Sequence, residues 1–172
     1  MSAPKVDSFF VLADRARKTA NILFREDQME DAALNVQQLV ERVARGLLTH
    51  EGIPFGTSHN LGQIANALPV DHPFRDRIKG FDDLSTAVTA FRYPTDTGRL
   101  KKAPPIEDLR KKLEAAEQLL LDAKVHIFGA DEKLWPIGAP SKKMASPEQS
   151  VGGFLTIRGR VRPDCENAAS LL

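Results

Sequence analysis

The side chains able to handle phosphate or move protons are few in this chain, and their spacing narrows what they can do. Arg45 and His50, in Arg45-Gly46-Leu47-Leu48-Thr49-His50, pair a cation that can stabilise a phosphorane with an imidazole that can take or return a 2′-hydroxyl proton near neutral pH. Five residues apart on a helix is about 500° of rotation, so the two side chains point roughly 140° away from each other. They converge only if the helix frays after Thr49 or a dimer brings two copies together. Otherwise His50 complements the negative end of its helix. No catalytic residue is therefore assigned, and Arg45 with His50 stands as the candidate pair.

Binding chemistry has more candidates. Gln38 and Glu41 lie three apart on one helix and can share a face, as a ligand contact or as a satisfied interhelical bond. His59, between Ser58 and Asn60, sits where a binding residue or a loop-ordering residue would serve equally well. Arg92 and Tyr93, before Pro94, suit phosphate gripping and base stacking, or a helix end closed over the core. Arg99, Lys101 and Lys102, with Arg110, Lys111 and Lys112, form the dense basic stretch, diluted by Glu107, Asp108 and Glu114. His72 and His126 stand alone in sequence, and with a single cysteine, Cys165, no metal site is expected. Gly152-Gly153 lacks the lysine of a phosphate loop, and no cofactor is expected.

These residues must be positioned by helices, because apolar side chains recur at spacings of three and four. Phe9, Leu12, Ala13, Ala16, Ala20 and Leu23 predict a first helix opened by Asp7 or Ser8. The second, from Met29, stripes Ala32, Ala33, Val36, Leu39, Val40, Val43, Leu47 and Leu48, leaves Asn35, Gln37, Glu41, Arg42 and Arg45 facing elsewhere, and stops at Gly52. A short third helix is capped by Asn60, with Gln63 in the capping-box position, and ends at Pro69. A fourth spans Pro73 to Pro94, weakened by Gly80, Thr86, Val88 and Thr89. The fifth runs from Ile106 towards Phe128.

The expected fold class is all-α: an up-and-down bundle of four long helices plus one short one over residues 1–130, with an irregular tail over 131–172. In that tail Phe154-Leu155-Thr156-Ile157 is the one strand-like piece. A formal net charge of +1 removes any global electrostatic argument for polyanion binding. No run approaches the ~20 apolar residues of a membrane span. No signal-peptide pattern is present, and lone-cysteine usage suits a reducing compartment, so a cytoplasmic protein with no membrane partner is expected.

In order and spacing, the first helix, then Asn35-Val36-Gln37-Gln38-Leu39-Val40-Glu41-Arg42, Leu47-Leu48, Ser58-His59-Asn60-Leu61 and Phe91-Arg92-Tyr93-Pro94 resemble the HEPN domain family. The resemblance covers about residues 5 to 128. It implies a helical bundle that commonly homodimerises and associates with nucleotides or RNA, often beside a separate minimal nucleotidyltransferase. Many members are metal-independent ribonucleases with an arginine, a polar residue and a histidine a few positions later, near the later helices. Here Arg92 is followed by Tyr93, Pro94, Thr95, Asp96, Thr97 and Gly98, with no histidine.

The resulting expectation is a non-catalytic HEPN-like protein that binds a nucleotide, RNA or a nucleotidyltransferase partner through Gln38, Glu41, His59, Arg92 and Tyr93, as in a toxin-antitoxin-like pair. The alternatives are a HEPN ribonuclease and a helical adaptor or dimerisation module.

Overall fold

The computed structural model describes residues 4–91, 93–99 and 101–135. All of these belong to one compact unit; the second unit, residues 142–172, lies outside them, as do the strand expected at 154–157 and Cys165. Six α-helices follow in order: α1 (Pro4–Arg25), α2 (Met29–His50), α3 (Leu61–Asn66), α4 (Arg75–Lys79), α5 (Ala87–Ala90) and α6 (Ile106–Phe128). Two 3₁₀ turns, Asp82–Thr86 and Glu132–Leu134, complete the regular structure, and no strand occurs among the described residues. The all-α bundle is thus as expected. None of its helices is long and apolar enough to cross a membrane.

α2 is the central element. Its most extensive contact is with α1, and it also packs on α6. The expected stripe of α2 is buried, with Val36, Leu39, Val40, Val43, Leu47 and Leu48 all fully covered. Burying such side chains contributes roughly 1.5–3 kcal/mol each relative to leaving them in water. α1 and α2 approach closely at Gly46, where an added Cβ would stand 2.6 Å from Cε2 of Phe10. That ring is wholly buried, so a side chain at position 46 would push the two helices apart.

The ends of the helices follow local chemistry. α1 begins at Pro4, before the expected cap, and Ser8 lies inside it, its hydroxyl donating to the Pro4 carbonyl at 2.9 Å. α2 stops where Gly52 takes φ +69°, with Ile53 N donating to Leu48 O at 2.8 Å and Gly52 N to Thr49 O at 3.2 Å. Together these bonds close the left-handed cap that glycine makes possible. Asn60 caps α3, its Oδ1 accepting from Gln63 N at 2.7 Å.

The fourth helical segment is present but divided. Instead of one helix between Pro73 and Pro94, the chain forms α4, the 3₁₀ turn at Asp82–Thr86, and α5. Gly80 ends α4, and the β-branched Thr86, Val88 and Thr89 offer little intrinsic helix preference beyond it. Tertiary contacts then favour the break. Asp82 Oδ1 accepts from Gly62 N at 2.9 Å, and Ser85 Oγ accepts from Leu61 N at 2.8 Å. The turn thereby satisfies the open N–H groups at the start of α3, which a continuous helix would have to leave to water.

Past α6, packing continues beyond residue 130. Trp135 is 7% exposed and its indole N–H donates to Gly129 O at 3.0 Å.

Candidate functional site

The middle of α2 carries a ladder of polar side chains at i, i+4 spacing: Gln37, Glu41 and Arg45 on one row, Gln38 and Arg42 on the next. The expectation that Gln37 and Glu41 face away from the interior is corrected. Gln37 is fully buried and Glu41 only 6% exposed. The reason is tertiary: the chain leaving α2 folds back over this row. Its Phe55 packs edge-on to Phe9 of α1, with ring centroids 6.0 Å apart, and the Arg45 guanidinium lies 5.7 Å from the Phe55 centroid.

Glu41 is the hub. Its carboxylate accepts from Gln37 Nε2 at 2.8 Å and pairs with Arg45 Nη2 at 3.0 Å. His59 Nδ1 lies 3.1 Å from both carboxylate oxygens. Towards a carboxylate, Nδ1 acts as the donor, and Nε2 is left on the other side of the ring. The His59 side chain is 56% exposed, so the ring meets solvent.

Backbone bonds hold the histidine loop in register with α2. Gln37 Nε2 also donates to His59 O at 3.1 Å, and Arg45 Nη2 donates to Ser58 O at 3.0 Å. The Ser58 hydroxyl donates to Gln63 Oε1 at 2.7 Å and accepts from Asn60 N at 3.2 Å, tying the loop to the start of α3. The Asn60 cap and the Asp82 and Ser85 contacts therefore fix where His59 stands.

The result is a cleft of about 290 Å³ whose lining includes Gln37, Gln38, Glu41, Arg42, Arg45 and His59. Arg42 donates to Leu12 O at 2.8 Å and to Gln38 Oε1 at 2.9 Å, which orients its guanidinium across the cleft wall. Burial lowers the Arg42 pKa, Glu41 raises it and Arg15 lowers it again; a guanidinium nevertheless stays charged in proteins. Two lining atoms, Gln37 Oε1 and Arg45 Nε, are buried without a hydrogen-bond partner among the described residues. The site thus joins two cations, an oriented imidazole, and an unpaired donor and acceptor. Such a set can hold an anionic group and move a proton beside it.

Gln38, Glu41 and His59, expected to bind ligand, are brought together here. Gln38 bonds Arg42, however, while Glu41 bonds Gln37, so the two are neighbours in the cleft rather than partners. Tyr93 is 69% exposed and does not line the cleft, and Arg92 lies outside the described residues. Arg45 joins the cleft, whereas His50 does not: its ring packs 6.3 Å from that of His126. The candidate catalytic pair is thereby separated into two neighbourhoods, as the helix rotation implies. Arg42 and Gln37 were not among the expected site residues, and their signal was the i, i+4 repeat 37-41-45 and 38-42.

Within the dense basic stretch, Lys112 and Arg110 are engaged in holding the fold. Lys112 pairs with Asp83 at 2.8 Å and lies 5.9 Å from the Phe81 ring, and the Arg110 guanidinium lies 4.9 Å from that of Phe24.

No curated protein and no solved structure shows a significant match to this chain. The sequence model of the HEPN domain matches residues 8–126, a span that holds α2, the His59 loop and nearly all of α6. With the helical bundle and its match over most of the chain, the protein belongs to the HEPN domain family.

Proposed function

We propose that this HEPN-family protein binds a phosphate-bearing ligand, a nucleotide or a single-stranded RNA, in the α2 cleft without cleaving it. The observation that carries the reading is the Glu41 hub, one buried carboxylate that holds Arg45 at 3.0 Å and His59 at 3.1 Å in a cleft open to solvent. A carboxylate so placed fixes both side chains and leaves the other side of the His59 ring for the ligand. Arg42 and Arg45 supply fixed positive charge, suited to phosphate oxygens.

Amide shift mapping with ATP and with a short single-stranded RNA tests this. Shifts should concentrate at residues 37–45 and 59, and Arg45→Ala should weaken binding at least about tenfold, the equivalent of about 1.4 kcal/mol. No shift with either probe would overturn the proposal.

A second reading draws on the same hub. With Nδ1 bound to Glu41, His59 Nε2 is oriented as a base that takes the 2′-hydroxyl proton of RNA. The 2′-oxygen then attacks phosphorus, Arg45 stabilises the phosphorane charge, and the proton passes to the departing 5′-oxygen, leaving a 2′,3′-cyclic phosphate. This ribonuclease would use His59 rather than His50. Cyclic-phosphate ends made by the wild type and lost in His59→Ala would establish it over simple binding; RNA that stays intact would rule it out.

A further inference from the structure

His72 and His126, far apart in sequence, are neighbours in space. Their ring centroids lie 6.0 Å apart, and His50 stands 6.3 Å from His126, so the expectation that these histidines are isolated is corrected. Glu51 joins them: one ligand atom from each of Glu51, His72 and His126 lies within 4.8 Å of the other two. The three come from separate elements, the end of α2, the loop before α4, and the last turn of α6.

The His72 side chain is only 7% exposed, and its Nε2 is buried without a hydrogen-bond partner, 3.9 Å from Glu51 Oε1. An orphaned buried nitrogen aimed at a carboxylate is a costly arrangement unless something satisfies it. Burial also lowers the His72 pKa, which Glu51 raises, His126 lowers and Asp71 raises.

We infer that Glu51, His72 and His126 form a binding site for a late first-row divalent cation, with zinc the best fit to two imidazoles and one carboxylate. Tetrahedral zinc would draw its ligand atoms to about 3.4 Å from one another, on bonds of about 2.0–2.2 Å. Glu51 and His126 are exposed and would close that distance around His72, whose side chain is largely covered. Water would fill the fourth position. Loading puts the ring proton of His72 on Nδ1 and so gives up the weak bond that Nδ1 accepts from Phe74 N at 3.4 Å. The ion would staple the end of α2 to α6 with residues that do not line the Glu41 cleft, independently of what that cleft binds.

The test is titration of the metal-free full-length protein with zinc by calorimetry and with cobalt by visible absorption. One ion per chain should bind, with tetrahedral cobalt bands, a raised melting temperature and a shift of the Phe74 amide. His126→Ala, an exposed substitution that leaves the fold intact by circular dichroism, should weaken zinc binding at least about thirtyfold, and Glu51→Gln about tenfold or more. Absence of binding, or His126→Ala binding zinc as tightly as the wild type, would overturn the inference.

Discussion

Two buried carboxylates among the described residues meet cations, and they end in opposite situations. Asp14 of α1 pairs with Lys124 of α6, their side chains 2% and 1% exposed. Arg17 Nε stands 3.5 Å from Asp14 Oδ1, and the Trp135 ring lies 5.3 Å from Lys124 Nζ. Glu41 of α2 is nearly as buried, but its partner His59 is 56% exposed and its cleft is open. The closed pair ties two long helices, and its partners are protein groups. The open one leaves an oriented imidazole in contact with solvent. Carboxylate and cation chemistry is common to both, so what separates a structural pair from a candidate site is whether the cation keeps a face to water.

Breaking the closed pair should have the largest effect. Burial lowers the Lys124 pKa, the hydrogen bond and charge of Asp14 raise it, and Arg17 and Lys18 lower it. Neutralising one partner strands the other charge, so Asp14→Asn or Lys124→Met should each cost about 3–5 kcal/mol in denaturant unfolding. Replacing both with leucine should recover most of that loss, because the desolvation penalty disappears with the charges. If either single variant proves as stable as the wild type, the pair does not hold α1 to α6.

At the open site the same kind of change should be milder. Glu41→Gln keeps the size of the side chain and weakens its charge-assisted bonds to Arg45 and His59, whose partly exposed side chains can turn to water, so a loss of about 1–2 kcal/mol is expected by chemical denaturation. A loss matching that of Asp14→Asn would mean the cleft is as closed energetically as the pair beneath Trp135.

Acid sharpens the contrast with the smallest effect. His72 is held below its ordinary pKa of 6.5, chiefly by burial. The unfolded chain takes up this proton near pH 6.5, while the folded chain resists until lower pH. Between the two values the unfolded state binds more protons, so stability falls as pH drops through that window and is unaffected above it. In metal-free protein, His72→Gln should remove this part of the pH slope, and an unchanged slope would assign it to another group.

Much of the bundle was legible because its causes are local. The apolar stripe of α2, its stop at Gly52, the Asn60 cap and the span of α6 all depend on residues within a turn or two of one another. The fourth segment was not, because Asp82 and Ser85 leave helix geometry to satisfy α3, some twenty residues earlier in the chain. The candidate site was half legible. The ladder 37-41-45 shows that these side chains can meet on one helix, yet nothing local says that the row would be buried or that His59 would complete it.

By itself, then, the sequence determined α1, α2 and α6, the stop of α2 and the family, since spacing, capping and motif order need only the chain's own neighbourhood. Only the tertiary structure decided which charges became neighbours: Glu41 with His59 across 18 residues, Asp14 with Lys124 across 110, and His72 with His126. It also decided which of those encounters stayed open to water. Burial depends on what every other element covers, and no single segment encodes that.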